Sequence, residues 1–250
     1  MTSGSTTQPL DHSTTAIRLN KFLVDAGVCS RREADRLIAA GKITVNGVPA
    51  VLGVKVTDTD VIVVDGKRVE KGSEKRVYLA YHKPVGIICT SDPNAQDNII
   101  DAVGYPERIF HIGRLDVASS GLILLTNDGD VVNAILRSEG KHEKEYIVKV
   151  DRDLRDEDLE KMATGVDIGD NRDTLPAKIA KMGARMLSMT LIEGRNRQVR
   201  RMCEALGYVV IALKRIRVMH IVLDGLPPGK WRYLSDEETE VLLKTLAIRK

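Results

Sequence analysis

A change of hydrophobic period inside the first sixty or so residues constrains this chain more than any other feature. Leu19, Phe22, Leu23 and Ala26 recur at i, i+3, i+4 and i+7, the pattern of an amphipathic helix ending near Gly27. Ser30 and Glu33 form an S-x-x-E capping box ahead of Ala34, Leu37 and Ile38, and Gly41 supplies a left-handed stop. The segment KITVNGVPAVLGVKV then switches to the two-residue period of short strands, with a turn at Asn46-Gly47. Two helical stripes followed at once by alternating strands predict a helix pair packed on a small sheet. The charged run DGKRVEKGSEKR, residues 65–76, lacks apolar periodicity and is expected to be the edge of this module leading into a linker.

A second domain is expected from about Val77, giving the division 1–16 tail, 17–75 first module and 76–250 second domain. VYLAYHKPVGIICT predicts an apolar strand broken at Lys83-Pro84. FHIGRLDVASSGLILLTNDGD predicts a charged loop, a buried strand Leu122–Leu125 and a turn at Asp128-Gly129. HEKEYIVKV and MLSMTLIEG read as strands and residues 154–164 as a helix. NRQVRRMCEALGY reads as a helix ending at Gly207, and a capping box from Ser235 to Glu238 opens a last helix. Helices and strands alternate without a βαβ rhythm, so the fold class is α+β with a mixed, antiparallel-rich sheet, and no internal repeat is visible.

Composition excludes several classes. No apolar run approaches the roughly 18 residues of a membrane span, so no membrane association is expected. The opening MTSGSTTQPLDHSTT lacks the basic and apolar segments of a secretory signal and reads as a flexible tail. Cys29, Cys89 and Cys203 are odd in number and far apart, which predicts neither a disulfide framework nor a thiolate zinc site and fits a reducing cytoplasm. The five histidines, His12, His82, His111, His142 and His220, show no ligand spacing, so no metal is expected. Net charge is only +3, but it is unevenly spread. Residues 17–56 carry Arg18, Lys21, Arg31, Arg32, Arg36, Lys42 and Lys55 against three acids, a balance of +4, and residues 193–217 carry +5, which leaves −6 elsewhere. Basic islands in an acidic frame suit a polyanion ligand.

Two stretches stand out for chemistry. Gly113-Arg114-Leu115-Asp116 sets an acid beside an arginine in a loop entering an apolar strand. Glu193-Gly194-Arg195-Asn196-Arg197-Gln198-Val199-Arg200-Arg201 gathers polar donors at a loop-to-helix junction, suited to phosphate or to an acid. Either stretch could equally be a surface turn.

The R-L-N-K-F-L start, the S-R-R-E-A helix and the G-K-I-T-V-N-G strand resemble an S4 RNA-binding domain. Further pieces resemble the pseudouridine synthases: K-P-x-G at Lys83–Gly86, G-R-L-D at Gly113–Asp116 with S-x-G-L at Ser119–Leu122, K-E-Y at Lys144–Tyr146, and the run from Glu193. The likeness is to the RsuA/RluF-type branch and spans nearly all of residues 17–245. NDGDVVNAILR, HEKEYIVKV and LKRIRVMHIVLDGLPPGKWRYL look most like its RluF subgroup, which acts on uridine in 23S ribosomal RNA.

The resemblance implies an isomerase that needs no cofactor. Asp116 matches the catalytic aspartate, attacking C1′ or assisting glycosidic cleavage by another route, and Arg200 matches its basic partner. Tyr146 matches the tyrosine that packs on the target base. Arg114 matches a position expected to hold the flipped nucleotide, whose extrusion costs a few kcal/mol. Arg195, Arg197, Gln198 and Arg201 are assigned to the substrate. Lys83 is grouped with them, although the turn it forms with Gly86 is expected mainly to support the pocket floor. Arg18, Lys21, Arg31, Arg32, Arg36 and Lys42 are assigned to RNA phosphates, Arg31 and Arg32 adding charge to a helix N-terminus; alternatively Arg31 only pairs with Asp35. The expected partner is 23S ribosomal RNA, free or in an assembly intermediate, bound by a monomer in the cytoplasm. Two alternatives stay open: transfer RNA as substrate, and a non-catalytic, ribosome-associated S4-type protein in which Asp116 is a structural salt-bridge partner. The joint presence of G-R-L-D, K-E-Y and Q-V-R-R argues against the second.

Overall fold

The computed structural model describes residues 16–69, 75–137 and 142–248. The expected N-terminal tail, save Ala16, lies outside them. The chain divides into two compact units, residues 1–75 and 76–250.

The first unit runs β1 (Ile17–Arg18), α1 (Leu19–Asp25), α2 (Arg31–Ala39), β2 (Ile43–Val45), β3 (Val48–Pro49), β4 (Lys55–Val56), β5 (Ile62–Val64) and β6 (Lys67–Val69). Leu19, Phe22 and Leu23 meet Ala34 and Ile38 over Ile43, Val56 and Ile62, so both helical stripes share one core. Ser30 Oγ accepts the Glu33 N–H at 3.1 Å, half of the expected capping box. The Glu33 carboxylate is taken instead by Arg36 Nη1 at 2.8 Å. Asn46 and Gly47, with φ of 51° and 81°, make the turn that pairs β2 with β3. The stretch from Asp65 departs from expectation, because Lys67–Val69 is a strand paired with β5 across an Asp65-Gly66 turn. Lys67 and Arg68 are exposed on this edge strand, which therefore carries no apolar alternation.

The second unit runs β7 (Tyr78–Lys83), α3 (Ile99–Val103), β8 (Phe110–Ile112), β9 (Ser120–Thr126), α4 (Gly129–Arg137), β10 (Lys144–Val150), α5 (Asp156–Thr164), β11 (Lys178–Gly183), β12 (Met186–Leu191), α6 (Gln198–Ala205), β13 (Val210–Val218), β14 (Ile221–Val222), β15 (Trp231–Tyr233) and α7 (Asp236–Thr245). Its sheet has the order β11-β12-β10-β13-β9-β7-β15, with β8 paired to β9 and β14 to β13. The contact of β13 with β9 is parallel and the other pairings are antiparallel. Leu79, Tyr81, Ile123, Leu125 and Val148 enter a core shared with α5 and α6, while Tyr78, Ala80, Leu122 and Leu124 enter one shared with α7. Both faces are covered, which is why β7 and β9 read as unbroken apolar runs.

The expected turn at Asp128-Gly129 is instead the start of α4. Asp128 is buried, accepting the Asp130 N–H at 3.0 Å and the Tyr78 hydroxyl at 2.8 Å, so an Asp-Gly pair serves as a helix entry. The box at Ser235 and Glu238 is complete, with both reciprocal bonds present.

Candidate active site

A cavity of about 280 Å³ opens where the loop after β8, the loop before α6 and the strands β10 and β13 converge. Asp116 reaches it from the β8–β9 loop. Three bonds from the preceding K-P-x-G region hold that loop: Lys83 Nζ donates to Ser119 O at 2.8 Å, Gly86 N–H to Val117 O at 2.9 Å, and Leu115 N–H to Cys89 Sγ at 3.3 Å. Ser119 N–H closes the turn on Asp116 O at 3.0 Å. Lys83 is fully buried, and burial lowers its pKa while Cys89 and Asp116 nearby partly offset this. It does not line the cavity, so its place is beneath the loop rather than against substrate.

Arg200, in the first turn of α6, grips the loop from the other side. Its Nη2 donates to Ala118 O at 2.9 Å and Ser119 Oγ at 3.2 Å, and its Nη1 to Val210 O at 3.2 Å. Its Nε is buried with no hydrogen-bond partner among the described residues and stands 3.6 Å from Asp116 Oδ2. Arg197 Nη1 lies 3.9 Å from the same oxygen. Arg197 adopts a left-handed φ of 50°, uncommon for a residue with a side chain, as it turns the chain into α6. Two guanidiniums thus face one carboxylate at the cavity.

Tyr146 projects from β10 and lines the cavity, 9% exposed. Arg114 is exposed on the wall beside Asp116. Arg195 and Gln198 also line the cavity but are committed to the protein. Arg195 donates to Arg172 O at 3.0 Å, Asp173 O at 2.6 Å and Glu193 at 3.2 Å; Gln198 donates to Glu193 at 2.6 Å and accepts the Arg195 N–H at 3.0 Å. Arg201, expected at the substrate, is not on the wall: one residue along the helix from Arg200, it pairs with Asp170 at 2.6 Å and donates to Ile168 O. Successive helical residues point about 100° apart, which separates the two arginines.

His142, Lys144 and Arg215 also line the cavity, beyond the residues expected at the site. Lys144 stands in the K-E-Y triplet and Arg215 in the basic segment, and the signal for both was a cation at an inward strand position. His82, His111 and His220 contact main-chain oxygens of Leu226, Gly113 and Glu238. Among the described residues no group of three or more His, Cys, Asp or Glu could hold a metal ion, and no helix is long and apolar enough to cross a membrane.

In the first unit Arg18, Arg31 and Arg32 are exposed and form no ion pair among the described residues. Lys21 pairs with Asp25 at 3.0 Å, Arg36 with Glu33 at 2.8 Å and Lys42 with Asp65 at 3.3 Å. Asp35, the alternative partner for Arg31, accepts instead from Asn20 Nδ2 at 3.0 Å.

Residues 77–205 match the family described as RNA pseudouridylate synthase, and residues 17–62 match the S4 domain. The "Dual-specificity RNA pseudouridine synthase RluF" of Salmonella typhi is 46% identical over 233 residues, which cover 93% of this chain and 80% of that protein. The "Ribosomal large subunit pseudouridine synthase B" of Bacillus subtilis is 41% identical over 234 residues, 90% of this chain and 95% of that protein. A crystal structure of a pseudouridylate synthase superposes with a TM-score of 0.66 at 30% identity, covering 90% of this chain and 99% of the other. A family match over 77–205 and relatives this similar over nine-tenths of the chain lead to one conclusion: the chain belongs to the RNA pseudouridylate synthases, as an isomerase with an N-terminal S4 domain.

Proposed function

We propose that this synthase isomerises a uridine of 23S ribosomal RNA, with Asp116 as the catalytic carboxylate, Arg200 as its basic partner and Tyr146 packed against the flipped base. The observation that carries the reading is Arg200: from behind the cavity wall its buried Nε, with no hydrogen-bond partner among the described residues, stands 3.6 Å from Asp116 Oδ2, and Asp116 and Tyr146 both line the cavity. Isomerisation breaks C1′–N1, turns the ring and rejoins it through C5, so it needs a nucleophile or base but no redox agent. Arg114 and Arg197 reach the cavity with exposed side chains and are suited to the RNA backbone around the extruded nucleotide. Large-subunit RNA is supported by the name of the Bacillus relative.

The reading assigns affinity to residues 17–75 and chemistry to residues 76–250. Arg18, Arg31 and Arg32 are free for phosphates. Lys21, Arg36 and Lys42 sit in ion pairs of about 0–1 kcal/mol that RNA can displace. The reading takes the protein to act as a monomer in the cytoplasm, a compartment in keeping with three widely spaced cysteines. The name of the Salmonella relative, with its two specificities, favours a second RNA substrate as well, and transfer RNA is the candidate.

Asp116→Asn keeps the shape and loses the charge. Tritium release from RNA carrying 5-³H-uridine should fall at least about 100-fold with RNA binding retained. Residual activity above about one per cent would remove Asp116 from this role. A nucleotide-resolution pseudouridine map of total RNA, with and without the gene, identifies the target.

A further inference from the structure

We infer that Arg215 and Lys144 form an oxyanion site for the uracil ring, holding the negative charge the base carries once its bond to the sugar is broken. The inference rests on the reading of Asp116 and Tyr146 as the reaction centre.

Arg215 is 4% exposed, its Nε donates to Leu122 O at 2.7 Å, and among the described residues no carboxylate pairs with it. A guanidinium buried without a counter-ion is costly, and one kept beside open cavity volume is suited to an anion that arrives with the ligand. Lys144 repeats the pattern. Its Nζ donates to His142 O at 3.0 Å, and burial, then repulsion from Arg215, lowers its pKa. The acids on the wall are engaged elsewhere: Glu193 with Leu175 N–H, Gln198 and Arg195, and Asp116 with Arg200 and Arg197.

Position narrows the ligand. Tyr146 and Arg215 are directly paired across β10 and β13, and Lys144 lies two residues before Tyr146 on the same face. A register shift between Glu145 and Tyr146 adjoins this pair and loosens the regular cross-strand spacing, but Tyr146, Arg215 and Lys144 all line the cavity, so a ring packed on Tyr146 presents its edge to both cations. An RNA phosphate is the competing occupant. The ring is favoured because Arg215 is buried beside Tyr146, whereas the exposed Arg114 and Arg197 already serve the backbone.

Cleavage of C1′–N1 sends the bonding pair to the ring, which departs as an anion with charge over N1, O2 and O4. The pair returns when C5 attacks C1′; the proton on C5 then leaves to a base and N1 takes up a proton, so product and substrate are isomers. The same anion forms whether Asp116 bonds to C1′ or removes a proton from the sugar. Desolvated cations stabilise it more than they stabilise the neutral base, which is the condition for accelerating the step.

The test uses the full chain, wild type and as Arg215→Met and Lys144→Met, with 5-nitrouracil as probe, because its ring N–H ionises below neutral pH. Wild type should bind the nitrouracil anion at least about tenfold more tightly than uracil, and both variants should lose that preference while still binding uracil. Their single-turnover tritium release at saturating RNA should fall about 100-fold or more, with RNA affinity nearly unchanged. No preference in wild type overturns the inference. So does weakened RNA binding with an intact saturated rate, the signature of a backbone phosphate. If Arg215→Met fails to fold, Lys144→Met and Arg215→Lys carry the same comparison. The nitrouracil preference is read without turnover, so it stands or falls separately from the Asp116→Asn result.

Discussion

Gly121 passes so close to Arg215 that a Cβ on it would lie 2.5 Å from the Arg215 nitrogen and 2.8 Å from its carbonyl carbon, and would strike its oxygen as well. Gly121 also has a φ of 116°, where side chains are rarely tolerated. This is where β9 and β13 pair in parallel, so the glycine of S-x-G-L sets how near the strand bearing Arg215 comes to the strand that follows Asp116. Gly121→Ala should destabilise the protein by more than about 2 kcal/mol. Thermal unfolding should show a Tm at least about 5 °C lower; an unchanged Tm would mean that the two strands are not held this tightly.

Tyr146→Phe separates packing from chemistry at one residue. The ring remains, so RNA affinity should stay within about twofold, while loss of a proton-handling hydroxyl should slow product formation by about 10²-fold or more. Rapid-quench tritium release measures it. An unchanged rate would leave Tyr146 with the packing role alone.

Arg31, Arg32 and Arg36 changed together to Ala should weaken RNA binding and flatten the slope of log K against log salt by roughly 0.7–0.9 per lost contact. Saturating RNA at low salt should restore a near-normal single-turnover rate, because Asp116, Tyr146 and Arg200 are untouched. Filter binding over a salt series and tritium release decide between a phosphate-binding surface and a solvated one.

Asp158 is a carboxylate sealed into the α5 end of the catalytic unit, bonded to the Tyr208 hydroxyl at 2.7 Å and Arg155 Nε at 2.8 Å. Burial alone would raise its pKa, but those two bonds and the charges of Arg155 and Lys161 outweigh burial and lower it. A depressed folded-state pKa contributes stability above the ordinary carboxylate range, and that stability is lost as pH falls through the folded value. Urea unfolding of wild type should therefore weaken between pH 6 and pH 3 more than that of Asp158→Asn. The variant itself should be about 1–3 kcal/mol less stable at pH 7, since the Tyr208 hydroxyl and Arg155 lose a charged acceptor.

The sequence was most legible where one face of an element meets one core. The α1 and α2 stripes, the Asn46-Gly47 turn, β7, β9 and the Ser235 box follow from local pattern. No strand alternation marks β13 in the sequence. Its inward positions are Leu213, Arg215 and Val218 among exposed Ile211 and Lys214, so a buried arginine interrupts the alternation a strand is recognised by. At the site, the stretches that hold Asp116 and Arg200 stand out in the sequence itself, and the roles of the two residues follow from the family resemblance. Their meeting at 3.6 Å depends on α6 packing against the β8–β9 loop, a long-range contact no local pattern encodes. The same distance from local signals explains Arg201, which turns to Asp170, whereas Lys83, under the loop on the Ser119 carbonyl, has the supporting place expected of its turn.

β13 has β10 on one side and β9 on the other, so before residues 210–218 exist the sheet consists of two separate pieces. On a ribosome, the strand of Tyr146 and the loop of Asp116 are therefore made long before anything joins them. The nascent chain must keep two half-sheets with exposed edges from pairing with the wrong partner until about the last sixth of the protein emerges. The residues that complete the site are also those that close the fold, so a chain stopped after α6 would carry Asp116, Tyr146 and Arg200 and still have no active site.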